Sequence, residues 1–215
     1  MTEISLDRIV ALVPVRSLSG AKTRLGEPLD AEERADLILA LLRRTIAEAL
    51  AATRLAAVVV VSKDPDLLAE ARGLGAASVL QQTDGLNEGL NEARLAGAAG
   101  ASAVMVLPAD LPGVAAAAID RLAEAAERTL RTRPDKPVVV LVPDRHGRGT
   151  NALLTAPPGA IPFCFGEASR SAHASAAGAA GASYLELGGP LSFDVDTPED
   201  LLEADLRGLS HEAGR

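Results

Sequence analysis

Four short apolar runs, Ile9–Val13, Ala57–Val61, Ala103–Leu107 and Val138–Val142, are set apart by stretches with helical periodicity. No other feature narrows the fold so much. Runs of aliphatic residues without alternating polar positions are expected of strands covered on both faces. Strands joined through helices pair in parallel through right-handed crossovers, which makes a three-layer α/β/α sandwich of Rossmann-like type with a mostly parallel sheet. At 215 residues and 48% hydrophobic composition the chain fills one such core. Residues 1–208 therefore read as a single domain, and 209–215 as a flexible tail.

The connecting segments carry their own signals. Asp30-Ala31-Glu32-Glu33 has the form of a capping box and opens a helix expected from Ala31 to Thr53, with Leu37, Leu41, Leu42, Ile46 and Leu50 at helical spacing. Asp64 caps a short helix with Pro65 at its first position. A short strand is expected around Val79. In Thr83–Asn91 the polar first half is a loop and the second half starts a helix, and a longer helix runs from Val114 to Leu130. The alanine-rich stretches 95–103 and 174–182 read as helices or helix ends, because alanine is the best helix former.

Ligands of open α/β sheets bind beyond the carboxyl ends of the strands, so the residues that follow strands are the informative ones. After the first strand, Pro14 breaks the run, and Ser17, Ser19 and Gly20 form a loop with Arg16, Lys22 and Arg24. Between Ile9 and Leu25 there are three cations and no carboxylate, although the chain carries 29 acidic against 21 basic residues and a net charge of -8. Such a loop suits a polyphosphate, with Lys22 as a mobile point charge and the arginines as two-pronged grips. The plain alternative is a polar turn with solvated cations. The overall negative charge argues against nucleic acid and membrane surfaces as partners. A lone Cys164 forms no internal disulfide, the first residues lack the order of a signal peptide, and no apolar run approaches the ~20 residues of a membrane span. A cytoplasmic location is the expectation.

Three aspartates stand out. Asp110 lies between Pro108 and Pro112, just after a strand. Asp194 and Asp196 fall on one side of the chain if Leu191–Asp196 is extended, and two such carboxylates repel unless a hard cation such as Mg²⁺ lies between them. A competing structural reading makes Thr197 a helix cap with Pro198 at the first helical position; both readings can hold together. Pro143–Leu154 resembles a second anion-binding turn. Ser169 and His173 stand four apart at a helix start. A Ser/His hydrolase would need an orienting acid and a Gly-x-Ser-x-Gly elbow, and without these the pair reads as polar side chains facing water.

These segments together carry a resemblance. Pro14-Val15-Arg16 through Ala21-Lys22-Thr23-Arg24-Leu25, Leu107–Pro112, Gly149-Thr150-Asn151-Ala152-Leu153, Phe165–Ser169 and Phe193–Pro198 resemble, in order and over nearly the whole chain, the guanylyltransferases of coenzyme F420 biosynthesis. The resemblance implies the nucleotidyltransferase version of the fold and transfer of GMP from GTP to phosphoenolpyruvate or 2-phospho-L-lactate, with release of pyrophosphate. It implies that Thr150, Gly166 and Ser169 bind the phosphorylated acid and that Asp110, Asp194 and Asp196 bind Mg²⁺, with Lys22 and Asp110 as catalytic residues. Pro14, Arg16, Gly20, Lys22 and Arg24 would hold the nucleotide phosphates, and Asn87 is the candidate for a base or ribose contact. Functional coupling to the next transferase of the pathway would follow from an unstable product. A nucleotidyltransferase with another acceptor, such as a sugar phosphate or molybdopterin, and a non-catalytic nucleotide-binding regulator are the alternatives.

Overall fold

The computed structural model describes residues 6–15, 30–195 and 200. Its elements are β1 (Ile9–Pro14), α1 (Ala31–Ala51), β2 (Leu55–Ser62), α2 (Pro65–Gly73), β3 (Ala77–Leu80), α3 (Leu86–Glu92), β4 (Ala103–Val106), α4 (Ala116–Thr132), β5 (Val138–Pro143), β6 (Thr150–Ala156), α5 (Ser169–Ala179) and β7 (Ser183–Glu186). α3 runs on into one wide π turn at Ala93–Gly97. The strands form one sheet in the order β3-β2-β1-β4-β6-β5-β7.

The chain builds outward from β1 through β2 to β3, then returns to lay β4 on the other side of β1, so the strand order reverses between β1 and β4. Such a reversal splays the loops above two adjacent strands and opens a crevice at their carboxyl ends. Each strand sends alternate side chains to opposite faces. Ala11, Val60, Met105 and Val140 pack with Ile38, Leu42 and Ile46 of α1, Leu67 of α2 and Ile119 of α4. Leu12, Val59, Val106 and Leu141 pack with Leu90 of α3 and Ala177 of α5. Three layers result, with no described helix long and apolar enough to cross a membrane.

The capping box of α1 is formed as expected: the Asp30 carboxylate accepts from the backbone N–H of Glu32 and Glu33, and Glu33 accepts from the Asp30 N–H. Asp64 caps α2 with Pro65 at its start. Of the expected helical positions, Leu50 is 46% exposed, and Ala49 lies in the core beside Ile46. The sheet is mostly parallel, as expected, with β6 antiparallel to both β4 and β5. Only residues 144–149 separate β5 from β6, too few for a crossover, so the connection is a hairpin turn.

That turn is held from within. Asp144 accepts from the Arg148 N–H at 2.7 Å, and the Gly147 N–H, at a φ of 69°, donates to the Asp144 carbonyl. The Pro143–Leu154 segment, expected as a second anion-binding turn, is thus a closed hairpin turn that leads into Thr150 at the start of β6. Leu191–Asp196 is not extended throughout: Pro190–Ser192 makes one 3-10 turn, and extended backbone begins at Phe193.

Candidate active site

Because β6 runs against its neighbours, its first residues, not its last, reach the end of the sheet where β1 and β4 finish. Alternation along β6 puts Ala152 and Leu154 on the face of α1 and α4 and Leu153 on the face of α5. Continued, it would send Thr150 to the α1 face. The pairing slips by one residue between Val142–Ala152 and Pro143–Thr150, a bulge that re-aims the side chains beyond it. Thr150 accordingly meets His173 of α5, while Asn151 turns to the opposite side, toward Leu191 and Asp194.

On the α5 side the expected acceptor residues come together. Thr150 Oγ1 is 3.1 Å from Nδ1 of His173, and His173 stands one helical turn beyond Ser169 on α5. Thr150 is 9% exposed and Ser169 2%, and Ser169 makes no side-chain hydrogen bond among the described residues. Gly166 has a φ of 134°, which disfavours any side chain there, and nothing lies within 4 Å of where a Cβ would stand. Ala168 adopts the left-handed conformation at φ 56°, turning the chain into the start of α5 without a side-chain cap. Arg170 fixes that start: its guanidinium grips both Glu186 oxygens on β7 at 2.9 and 2.7 Å and donates to the Gly147 carbonyl in the hairpin. Glu186, held by Arg170 and Tyr184, sits below the usual carboxylate range.

His173 is fully buried, not water-facing as the Ser169/His173 spacing alone suggests. Its Nε2 accepts from the Cys164 backbone N–H at 2.9 Å, and its ring meets Phe165 edge-on at 4.9 Å. Burial pushes its pKa down to about 4, against a smaller opposing effect of the Ser169 backbone. The ring is therefore neutral near pH 7. Sequence reasoning missed this residue because Cys164 and Thr150 reach it only through the fold.

On the opposite side the segments of Asp110 and Asp194 meet. The Val195 N–H donates to the Asp110 carbonyl at 3.1 Å, which ties the segment carrying Asp194 against the loop after β4. Asn151 Nδ2 donates to Asp194 Oδ1 at 3.2 Å and to the Leu191 carbonyl at 3.1 Å, holding Asp194 from below. The approach is close at Gly113, where a Cβ would fall 2.2 Å from the Pro190 carbonyl oxygen. Beyond Asp194, the buried Asp200 is ion-paired with Arg145, whose guanidinium also lies 4.9 Å over the Phe193 ring. Arg145 of the hairpin thus meets the chain at Phe193, just before Asp194, and at Asp200.

Two hard carboxylates on tied neighbouring segments are a donor set that fits Mg²⁺. Among the described residues no three acidic, histidine or cysteine side chains form a metal cluster, and Asp196, the third of the expected set, lies outside those residues. Arg16, Gly20, Lys22 and Arg24 also lie outside the described residues. Pro14 ends β1 at the same edge, where the Val15 N–H continues the ladder to the Val61 carbonyl.

Asn87, the candidate for a base or ribose contact, is engaged by backbone. Its amide accepts from the Phe165 N–H at 2.8 Å and donates to the Phe165 carbonyl at 2.9 Å, so both ends of the side chain are engaged by one backbone residue. It joins the start of α3 to the loop before Gly166. The loop leading to Asn87 is braced in turn, with Glu92 accepting from the N–H groups of Gln82 and Thr83 and Lys63 ion-paired with Asp84.

Residues 9–214 match the family model described as "Guanylyl transferase CofC like". A phosphoenolpyruvate guanylyltransferase of Rubrobacter xylanophilus is 45% identical over 202 residues, covering 93% of this chain and 95% of that one. Another, of Sphaerobacter thermophilus, is 41% identical over 211 residues, with 95% and 98% coverage. Among solved structures, a Desulfovibrio desulfuricans protein described as a nucleotide-diphospho-sugar transferase superposes with a TM-score of 0.67 at 16% identity, over 95% of this chain and 97% of that one. The fold is therefore that of the nucleotidyltransferases, and the chain belongs to the CofC-like guanylyl transferase family.

Proposed function

We propose that the protein transfers GMP from GTP to phosphoenolpyruvate and releases pyrophosphate, a step of coenzyme F420 biosynthesis. The observation that supports this most is that, across the bulged start of β6, Thr150 meets His173 one turn beyond Ser169 on α5 while the adjacent Asn151 holds Asp194, whose neighbour Val195 is tied to the backbone of Asp110. Two adjacent residues of one strand, Thr150 and Asn151, serve the two halves, so acceptor and metal site are held at a fixed separation.

In this reaction an oxygen of the acceptor phosphate attacks the α-phosphorus of GTP, and the bond from that phosphorus to the pyrophosphate oxygen breaks. A phosphate monoester is largely ionised near pH 7, so no general base is needed. The protein's work is alignment and charge compensation. Hydroxyls of Thr150 and Ser169 and the backbone at Gly166 hold the acid, and Asn151 keeps Asp194 turned toward the crevice. Asp110, Asp194 and Asp196 would hold Mg²⁺, which when bound lowers the repulsion between two anionic substrates. Lys22, with Arg16 and Arg24, is assigned to the leaving pyrophosphate, and Pro14 and Gly20 to the shape of that loop.

The test is pyrophosphate release with GTP, with phosphoenolpyruvate and 2-phospho-L-lactate compared as acceptors and ATP and CTP as nucleotide controls. The expected result is release with GTP and phosphoenolpyruvate, lost on chelation and restored by Mg²⁺. The assay is repeated with the next transferase of the pathway present, because an unstable product that must be drawn off gives low signal alone. Silence in both formats overturns the assignment, and release with a sugar phosphate would replace the acceptor.

A further inference from the structure

Of the polar groups around the acceptor pocket, only His173 has its proton position dictated by a neighbour that cannot change. A backbone N–H can only donate, so the Cys164 N–H at 2.9 Å requires Nε2 of His173 to carry a lone pair. In a neutral imidazole the hydrogen is then on Nδ1. Nδ1 faces Thr150 Oγ1 at 3.1 Å; although the ring also hydrogen-bonds the Ser169 backbone one turn earlier, a protonated Nδ1 offers the hydroxyl a hydrogen and no lone pair. The hydroxyl accepts there, and its own hydrogen is directed elsewhere. Among the described residues no acceptor takes that hydrogen; Ser169, one turn before His173, has its N–H on the Gly166 carbonyl, and the space beside Gly166 is open.

We propose that His173 is a positioning residue for the acceptor: as its Nδ1–H tautomer it occupies a lone pair of Thr150 Oγ1 and commits that hydroxyl to donate to an anionic oxygen of the phosphorylated acid. The inference rests on the acceptor reading of Thr150 given above. A hydroxyl free to rotate would present a lone pair to the anion part of the time, and the repulsive orientation is removed. The buried ring also ties Cys164, and hence the turn into Gly166, to α5, so one side chain sets both the hydroxyl and the backbone that face the acid. A cationic ring would serve worse here, because Nε2 would then point a second hydrogen at the Cys164 N–H.

Two variants separate the two contacts. His173→Asn places an amide N–H close to the position of Nδ1 and keeps the donor to Thr150, whereas His173→Gln places its carboxamide close to Nε2 and keeps only the acceptor for Cys164. His173→Gln is expected to raise the KM for the acid on the order of tenfold, the usual worth of one hydrogen bond to a charged group, with the KM for GTP unchanged. His173→Asn is expected to stay within about threefold of wild type on the same scale. In a Thr150→Val background the His173→Gln effect should vanish, since there is no hydroxyl left to orient. A purely structural role would instead raise both KM values, or persist in the Thr150→Val background, and either result overturns the proposal. Nitrogen-15 NMR of the wild-type imidazole gives an arm that needs no variant and no turnover: the Nδ1–H tautomer is expected at pH 7, and the Nε2–H tautomer overturns the proposal. A wild-type protein silent with both acids fails at the acceptor reading itself, before any variant is made, and removes the proposal with it.

Discussion

A neutral histidine sealed inside the protein has a cost that depends on pH. Burial pushes the pKa of His173 from an ordinary 6.5 down to about 4. Between those values the unfolded chain binds a proton that the folded chain refuses, so the unfolded state gains with every step toward acid. Stability is full above pH 6.5, declines as pH falls toward 4, and has lost about 3 kcal/mol from this group below that. Urea unfolding of the wild type and of His173→Gln at pH 7 and pH 5.5 should show the wild type losing about 1.2 kcal/mol more than the variant over that interval. Equal losses would mean that the ring is hydrated or already charged. The position of His173 on the same helical face as Ser169 was legible from spacing. Its burial was not, because Phe165 and Cys164 reach it through an irregular segment and Thr150 through a strand 23 residues away.

Between elements, two close approaches decide where the site sits. Asn87 spends its amide on both backbone groups of Phe165, so Asn87→Ala leaves a half-buried N–H and C=O without partners, at about 1–3 kcal/mol. The expected kinetic result is a raised KM for the acid with little change for GTP, the reverse of what a base or ribose contact would give. The second approach is at Gly113, where any Cβ falls 2.2 Å from the Pro190 carbonyl oxygen. Gly113→Ala must push the 190–195 segment away from the loop of Asp110. It should lower kcat at saturating substrates and raise the Mg²⁺ concentration needed for half-maximal rate, while the far-UV circular dichroism stays that of the wild type. The caps of α1 and α2 were legible because each is made by residues adjacent in sequence. β6 was not recognised, although Gly147 and Gly149 ahead of an apolar run are ordinary hairpin signals; the same glycines and cations also read as an anion site. Expecting extended chain from Leu191 onward overlooked the turn that Pro190 starts, which ends before Phe193.

At the scale of the whole molecule, periodicity sufficed for the layered architecture, since alternating apolar runs and helices admit few other topologies. Sheet order was beyond it: which strand lies beside β1 depends on contacts between residues about 100 apart, such as Ile9 with Ala103. The two faces of the sheet share one set of strands, so damage to one layer is felt throughout. Leu42→Ala, in the fully buried core beneath α1, should cost about 2–5 kcal/mol. Its urea midpoint should fall with the slope unchanged, and the KM for either substrate should remain that of the wild type below the transition.

The bulge at the start of β6 makes the site a matter of parity. From Ala152 onward the strand has a fixed beat, even residues to one face and odd to the other, and the slip at residue 151 inverts it for the two residues that matter. Deleting Asn151 would restore the regular beat: Thr150 would sit next to Ala152 and keep the α5 face, while Gly149 would come to the side of Asp194 and leave it without its amide, with the hydrophobic core untouched. Hairpin residues 144–149 stand outside that count and can lengthen or shorten in evolution as long as Asp144, Arg145 and Gly147 keep their contacts. The protein's reading frame for chemistry begins at Thr150, and a single-residue change in its length just there is a frameshift in space.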